Sequence, residues 1–186
     1  MDDLGNILYP IDADTPTSNQ EGKILMRILF SSFADNFETY LSDLLYEIFL
    51  AKPESLKSNQ QVTIKEVLDC SDLQEFVKYW AKEKIGKLQK GSVKGFIAEN
   101  DQIKKLAAID ESTQNEIEKI LQIRHLYSHR NGIVDEKFLQ FFTGQFILNS
   151  EHQIPISQFC DKLCYLAAVA DKIDLAATNK YKLAQG

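Results

Sequence analysis

Three histidines occur in the 186 residues, and two of them, His125 and His129, lie four apart with Arg124 directly before the first. Four residues make close to one helical turn, so both imidazoles share a face. Arg124 and His129 are five apart, roughly 140° around the axis at 3.6 residues per turn, within the swing of a long guanidinium. An imidazole near a helix end titrates close to neutral pH. Arginine adds a permanent charge and paired donors matched to phosphate oxygens. This set suits metal-free RNA cleavage. A base takes the 2′-hydroxyl proton, an acid serves the leaving 5′-oxygen, and a cation holds the charge crowded on the phosphorane. One copy of the stretch supplies too few groups; two copies related by a two-fold axis supply both base and acid.

Other readings of the same residues stay open. His129 at a helix C-terminus interacts favourably with the helix dipole, and Arg124 can pair with Glu118 or with an acid on another helix. Both would make the stretch structural. The i, i+4 histidines also have metal-ligand spacing. However, the sequence has no HExxH glutamate here, and only Asp135 or the remote His152 offers a third ligand. No metal and no cofactor are therefore expected.

The elements that position these residues read as helices. Between Glu21 and Leu50, Ile24, Leu25, Ile28, Leu29, Phe33, Phe37, Leu41, Leu44, Leu45, Ile48 and Phe49 recur at three and four, which predicts one long amphipathic helix ended by Pro53. Thr63 with Glu66 three residues on marks a second start. A third helix is expected over 71–84, burying Leu73, Phe76, Val77 and Trp80. Gly86, Gly91 and Gly95 predict a loop over 85–96, with a short helix at 101–108. Ser112 opens the helix that carries Arg124 to His129, and Asn131-Gly132 stops it. A short helix follows over 134–142. A small β-hairpin is allowed over 145–156, with Pro155 at its edge. Ser157 begins a last helix with Phe159, Leu163, Leu166, Ala167, Ala170 and Ile173 inward.

With 44% apolar residues, 8 Gly and 4 Pro, the composition fits an all-α domain over 21–178, between an irregular segment at 1–20 and a tail at 179–186. No apolar run reaches the ~18–20 residues of a membrane span. The acidic N-terminus lacks signal-peptide features, and the cytoplasm is expected. The odd count of 3 cysteines opposes a disulfide framework; Cys160 and Cys164 read as buried reduced thiols. A net charge of −6 excludes broad coating of nucleic acid. Within it, Lys82, Lys84, Lys87, Lys90 and Lys94 form a local basic strip, either a weak RNA-binding surface or a solvated helix face.

Arg124-x4-His129, closing a helix late in an all-helical chain, resembles the R-x4–6-H signature of the HEPN superfamily. The flanking Ile123 and the run His129-Arg130-Asn131-Gly132-Ile133-Val134-Asp135 strengthen the likeness, as does Phe33-x3-Phe37-Glu38-x-Tyr40-Leu41. The resemblance covers about residues 25–175. It implies a helical bundle that dimerises so that two motifs line one cleft. It also implies metal-independent endoribonuclease activity leaving 2′,3′-cyclic phosphate and 5′-hydroxyl ends, in a toxin or antiphage-defence setting with an antitoxin or regulatory partner. Arg124 and His129 carry over as the catalytic pair. His125 stands where the family often has Asn. Glu38 is a candidate orienting acid, and Tyr127 and Asn131 are supporting candidates. A non-catalytic HEPN-like module that binds RNA or a partner protein is the alternative.

Overall fold

A computed structural model describes residues 12–57, 61–88 and 93–183. Eight α-helices are present among them: α1 (Gln20–Ala51), α2 (Ile64–Leu68), α3 (Leu73–Leu88), α4 (Val93–Glu99), α5 (Asp101–Lys104), α6 (Glu111–Arg130), α7 (Glu136–Phe141) and α8 (Ile156–Tyr181). The fold is all-α. A 3-10 turn at Pro53–Leu56 follows α1, because proline starts a new turn but cannot continue the old one. The chain divides into two compact units, Met1–Phe37 with Ser112–Val169, and Glu38–Glu111 with Ala170–Gly186.

In the first unit, Asn19 caps α1 by accepting from the Glu21 and Gly22 amides. The inward face of this half of α1 carries Met26, Phe30, Ala34 and Phe37. Phe37 is buried as the predicted stripe requires, whereas Ile24, Ile28 and Leu29 are exposed and Met26, Phe30 and Ala34 take the inward positions. The buried face of α6 carries Ile117, Ile120, Leu121, Ile123, Leu126 and Tyr127. Phe30 stands edge-on to Tyr127 with centroids 5.4 Å apart, and 6.0 Å from Phe159 of α8. α7 is capped by Asp135, whose Oδ1 accepts the Phe138 amide at 2.8 Å.

No hairpin forms over 145–156. Residues 145–155 are turn and coil, and they pair instead with the residues that leave α6. His152 N–H donates to the Gly132 carbonyl at 2.8 Å, Val134 N–H to Ser150, and Asn149 N–H to Val134, around a single bridge between Ile133 and Glu151. Phe146 turns inward onto Phe138, Phe142 and His152 rather than alternating along a strand.

In the second unit the core comes from Leu41, Leu44, Leu45, Ile48 and Phe49 of α1, Ala81 and Ile85 of α3, Phe96 and Ile97 of α4, and Ile173 and Ala177 of α8. Thr63 and Glu66 form the expected capping box at α2. The loop read over 85–96 is largely helix: α3 runs through Gly86 to Leu88, and α4 begins at Val93. One glycine weakens a helix by only ~1 kcal/mol, and burial of Ile85 and Phe96 outweighs that. Leu73 is exposed, because α3 packs through its C-terminal half. Ala167 is exposed too; Val169 takes the inward place on α8. Cys160 and Cys164 are exposed rather than buried, on the outer side of α8 opposite its Phe159–Leu166 stripe.

Candidate functional site

The last two turns of α6 run alongside the first half of α1 with a clear register. Arg124 pairs with Asp35, Ser128 Oγ donates to Ser31 Oγ at 3.1 Å, and the Asn131 side-chain oxygen accepts from Arg27 at 3.0 Å. Along α1 these contacts step by four residues, and along α6 and its exit by four and then three, the spacing of one helix face. Arg124 and Ser128 thus face α1. A groove lies on this side, lined by Arg27, Ser31, Asp35, Tyr127, Ser128 and Asn131.

His125 and His129 occupy the next face. Their ring centroids are 4.8 Å apart with planes tilted by 50°; His125 is half-buried and His129 exposed. Partial burial holds the His125 imidazole below its usual range, and Lys137, His129 and Arg124 add to this while Asp135 opposes it. Asp135 is itself held below the usual carboxylate range, first by the Phe138 amide and then by Arg130.

The end of α6 is locked by the expected Asn131-Gly132 stop together with Arg27 and Glu151, which were not among the sequence candidates. Asn131 and Gly132 adopt left-handed backbone, φ +50° and +77°. The Gly132 amide reaches back to the Leu126 carbonyl at 3.1 Å, satisfying one of the helix-end acceptors. Arg27, 8% exposed, lies directly on Gly132: a Cβ there would come within 2.8 Å of its guanidinium carbon. The same guanidinium ion-pairs with Glu151, which also takes Lys23 at 2.9 Å, and lies 6.0 Å from the centre of the Tyr127 ring. An arginine within an apolar stripe, four residues from Lys23 and three from Phe30, was the available signal.

Tyr127, named from the motif, is buried, and its hydroxyl shares a proton with His152 Nδ1 at 2.9 Å. Burial raises the phenol, with Glu151 adding and Arg27 opposing, so it stays protonated. Burial, then the fields of Lys162 and Arg27, push His152 down to about 4 from its ordinary 6.5. The neutral imidazole therefore belongs to the fold. Its stabilisation is complete above pH ~6.5 and is lost as pH falls toward 4, where only the unfolded chain takes up the proton. Unfolding free energy is expected to drop by about 2 kcal/mol from pH 7 to pH 5 through this group. Urea titrations at both pH values check this. His152→Gln should flatten the difference, and an unchanged difference would refute the assignment.

Glu38 lies on α1 in the second unit, where its carbonyl accepts from Ser42 Oγ at 3.1 Å. Glu118 is buried and accepts from Gln122 at 2.8 Å. Of the basic strip, Lys82 and Lys94 are exposed, whereas Lys84 turns back to the Ser55 carbonyl and lies 5.1 Å from the Phe49 ring centre. The Lys87 side chain and Lys90 fall outside the described residues. Among the described residues no three His, Cys, Asp or Glu side chains converge as a metal site, and no helix is long and apolar enough to cross a membrane. No family model matches the chain, and neither a curated protein nor a solved structure matches it.

Proposed function

We propose that the chain is a metal-independent endoribonuclease of the HEPN type, whose active site is completed by a second copy and whose setting is toxin or defence activity in the cytoplasm. The observation that carries this reading is the cluster at the end of α6. Two accessible imidazoles stand 4.8 Å apart beside Arg124, on a helix end held by Arg27 and Gly132. In this account His129 transfers the proton at the 2′-oxygen in one copy and at the 5′-oxygen in the other. Arg124 stabilises the equatorial phosphorane oxygens, and His125 hydrogen-bonds the substrate.

Arg124 rests on Asp35, so phosphate must displace a carboxylate. That exchange is inexpensive: the pair is exposed at 26% and 48%, and such pairs contribute about 1 kcal/mol or less. The same pairing is what favours the second reading, a non-catalytic helical module that binds RNA or a partner protein, since a neutralised arginine attracts phosphate weakly.

A test follows from geometry. In a chain with Cys70, Cys160 and Cys164 changed to Ser, His129→Cys should form an intermolecular disulfide under mild oxidation, because facing motifs bring the two positions together. A chain that sediments as a monomer and gives no cross-link would favour the binding module.

A further inference from the structure

His125 and His129 lie four residues apart on one face of α6, and among the described residues no hydrogen bond engages either ring. Their separation has a metrical consequence. A transition-metal dication ~2.1 Å from an imidazole nitrogen lies ~3.2 Å from that ring's centroid, so centroids 4.8 Å apart subtend about 97° at the ion. That falls between the octahedral and tetrahedral ligand angles. We propose that His125 and His129 form a bidentate site for a borderline dication such as Zn2+, and that its occupancy switches off RNA cleavage at this motif.

Only the second half rests on the nuclease reading; capture of the ion by the imidazoles stands without it. Two protein ligands make an exchangeable site rather than a resident centre. The carboxylate next along the chain, Asp135, is committed to the Phe138 amide and to Arg130, so water completes the coordination shell. Lys137 and Arg124 stand close enough for their fields to reach His125, and they oppose a dication and keep its affinity down. The imidazole lone pairs that would hold the ion are those a proton acceptor needs, so binding and catalysis exclude one another. Hard cations such as Mg2+ prefer oxygen ligands and are not expected to bind.

The experiment is calorimetric titration of Zn2+ into the metal-free full chain, with Cys160 and Cys164, exposed thiols on α8, changed to Ser so that they do not compete. One ion per chain is expected, weakened about tenfold or more by His125→Ala or, separately, by His129→Asn. Both side chains reach solvent, so the variants keep the fold. RNA cleavage by the parent chain should fall in step with occupancy and return on adding EDTA. Equal Zn2+ affinity in parent and variants would overturn the site, and undiminished or increased cleavage at saturating Zn2+ would overturn its inhibitory role. If the metal-free chain cuts no RNA, the nuclease reading falls, while histidine-dependent Zn2+ binding still upholds the site.

Discussion

Arg124→Ala and His129→Ala are each expected to reduce RNA cleavage by ~10²–10³-fold or more, the loss typical of removing one preorganised donor from a charge-developing transition state. Neither change should unfold the protein. His129 is exposed at the end of α6, and Arg124 contributes a half-exposed ion pair whose loss costs about 1 kcal/mol or less. Activity and stability therefore separate, which distinguishes a chemical role from a structural one. Arg124→Lys sharpens the point, because lysine keeps the charge but lacks the planar fork that grips two phosphate oxygens. It should recover only part of the activity. Steady-state cleavage of a labelled RNA, beside thermal unfolding of each variant, measures both quantities.

The second large effect is expected at Arg27, where stability and activity should fall together. Arg27→Ala removes the guanidinium that holds Asn131, ion-pairs with Glu151 and covers Gly132. Breaking a buried pair by deleting one partner costs ~3–5 kcal/mol. Glu151 keeps Lys23 and is itself 31% exposed, so about 2–3 kcal/mol is expected here. The release of Asn131 loosens the last turn of α6 and with it His129. Arg27→Lys should restore the charge opposite Glu151 but not the bond to Asn131, leaving activity below the parent. Gly132→Ala should reproduce part of the loss, since its Cβ strikes the Arg27 guanidinium and φ of +77° disfavours any side chain. Chemical denaturation of the three variants, with cleavage rates, checks the order.

Much of the fold was legible from local signals. Thr63 and Glu66 announced a capping box, Pro53 a helix end, and Asn131-Gly132 the left-handed stop of α6. These depend on backbone chemistry within a few residues, which the sequence displays directly. What failed depended on partners distant in sequence. Ile24, Ile28 and Leu29 fit a helical stripe as well as Met26, Phe30 and Ala34 do, and only packing against α6 chooses between them. The residues 145–156 carry two short apolar runs around a polar turn, as a hairpin would, yet Phe146 and His152 find a better place in the cluster with Phe138 and Phe142. Gly86 and Gly95 read as breaks because the burial of Ile85 and Phe96 was invisible.

The placement of the candidate residues was legible, but not the groups that hold them. Arg124, His125 and His129 stand at the end of one helix, as their spacing requires. Asp35 facing Arg124, Arg27 clamping Asn131 and His152 bonding Tyr127 lie between 25 and 104 positions from the groups they touch, and no local pattern links them.

The proposed reaction is RNA cleavage by Arg124 and His129 without a metal. It is tested most directly by incubating the purified chain with RNA in excess EDTA and identifying the new ends. Products with 2′,3′-cyclic phosphate and 5′-hydroxyl ends, formed by the parent chain and lost in His129→Ala, are the predicted result. Cleavage that requires an added metal, leaves 5′-phosphate ends, or persists in His129→Ala would contradict it.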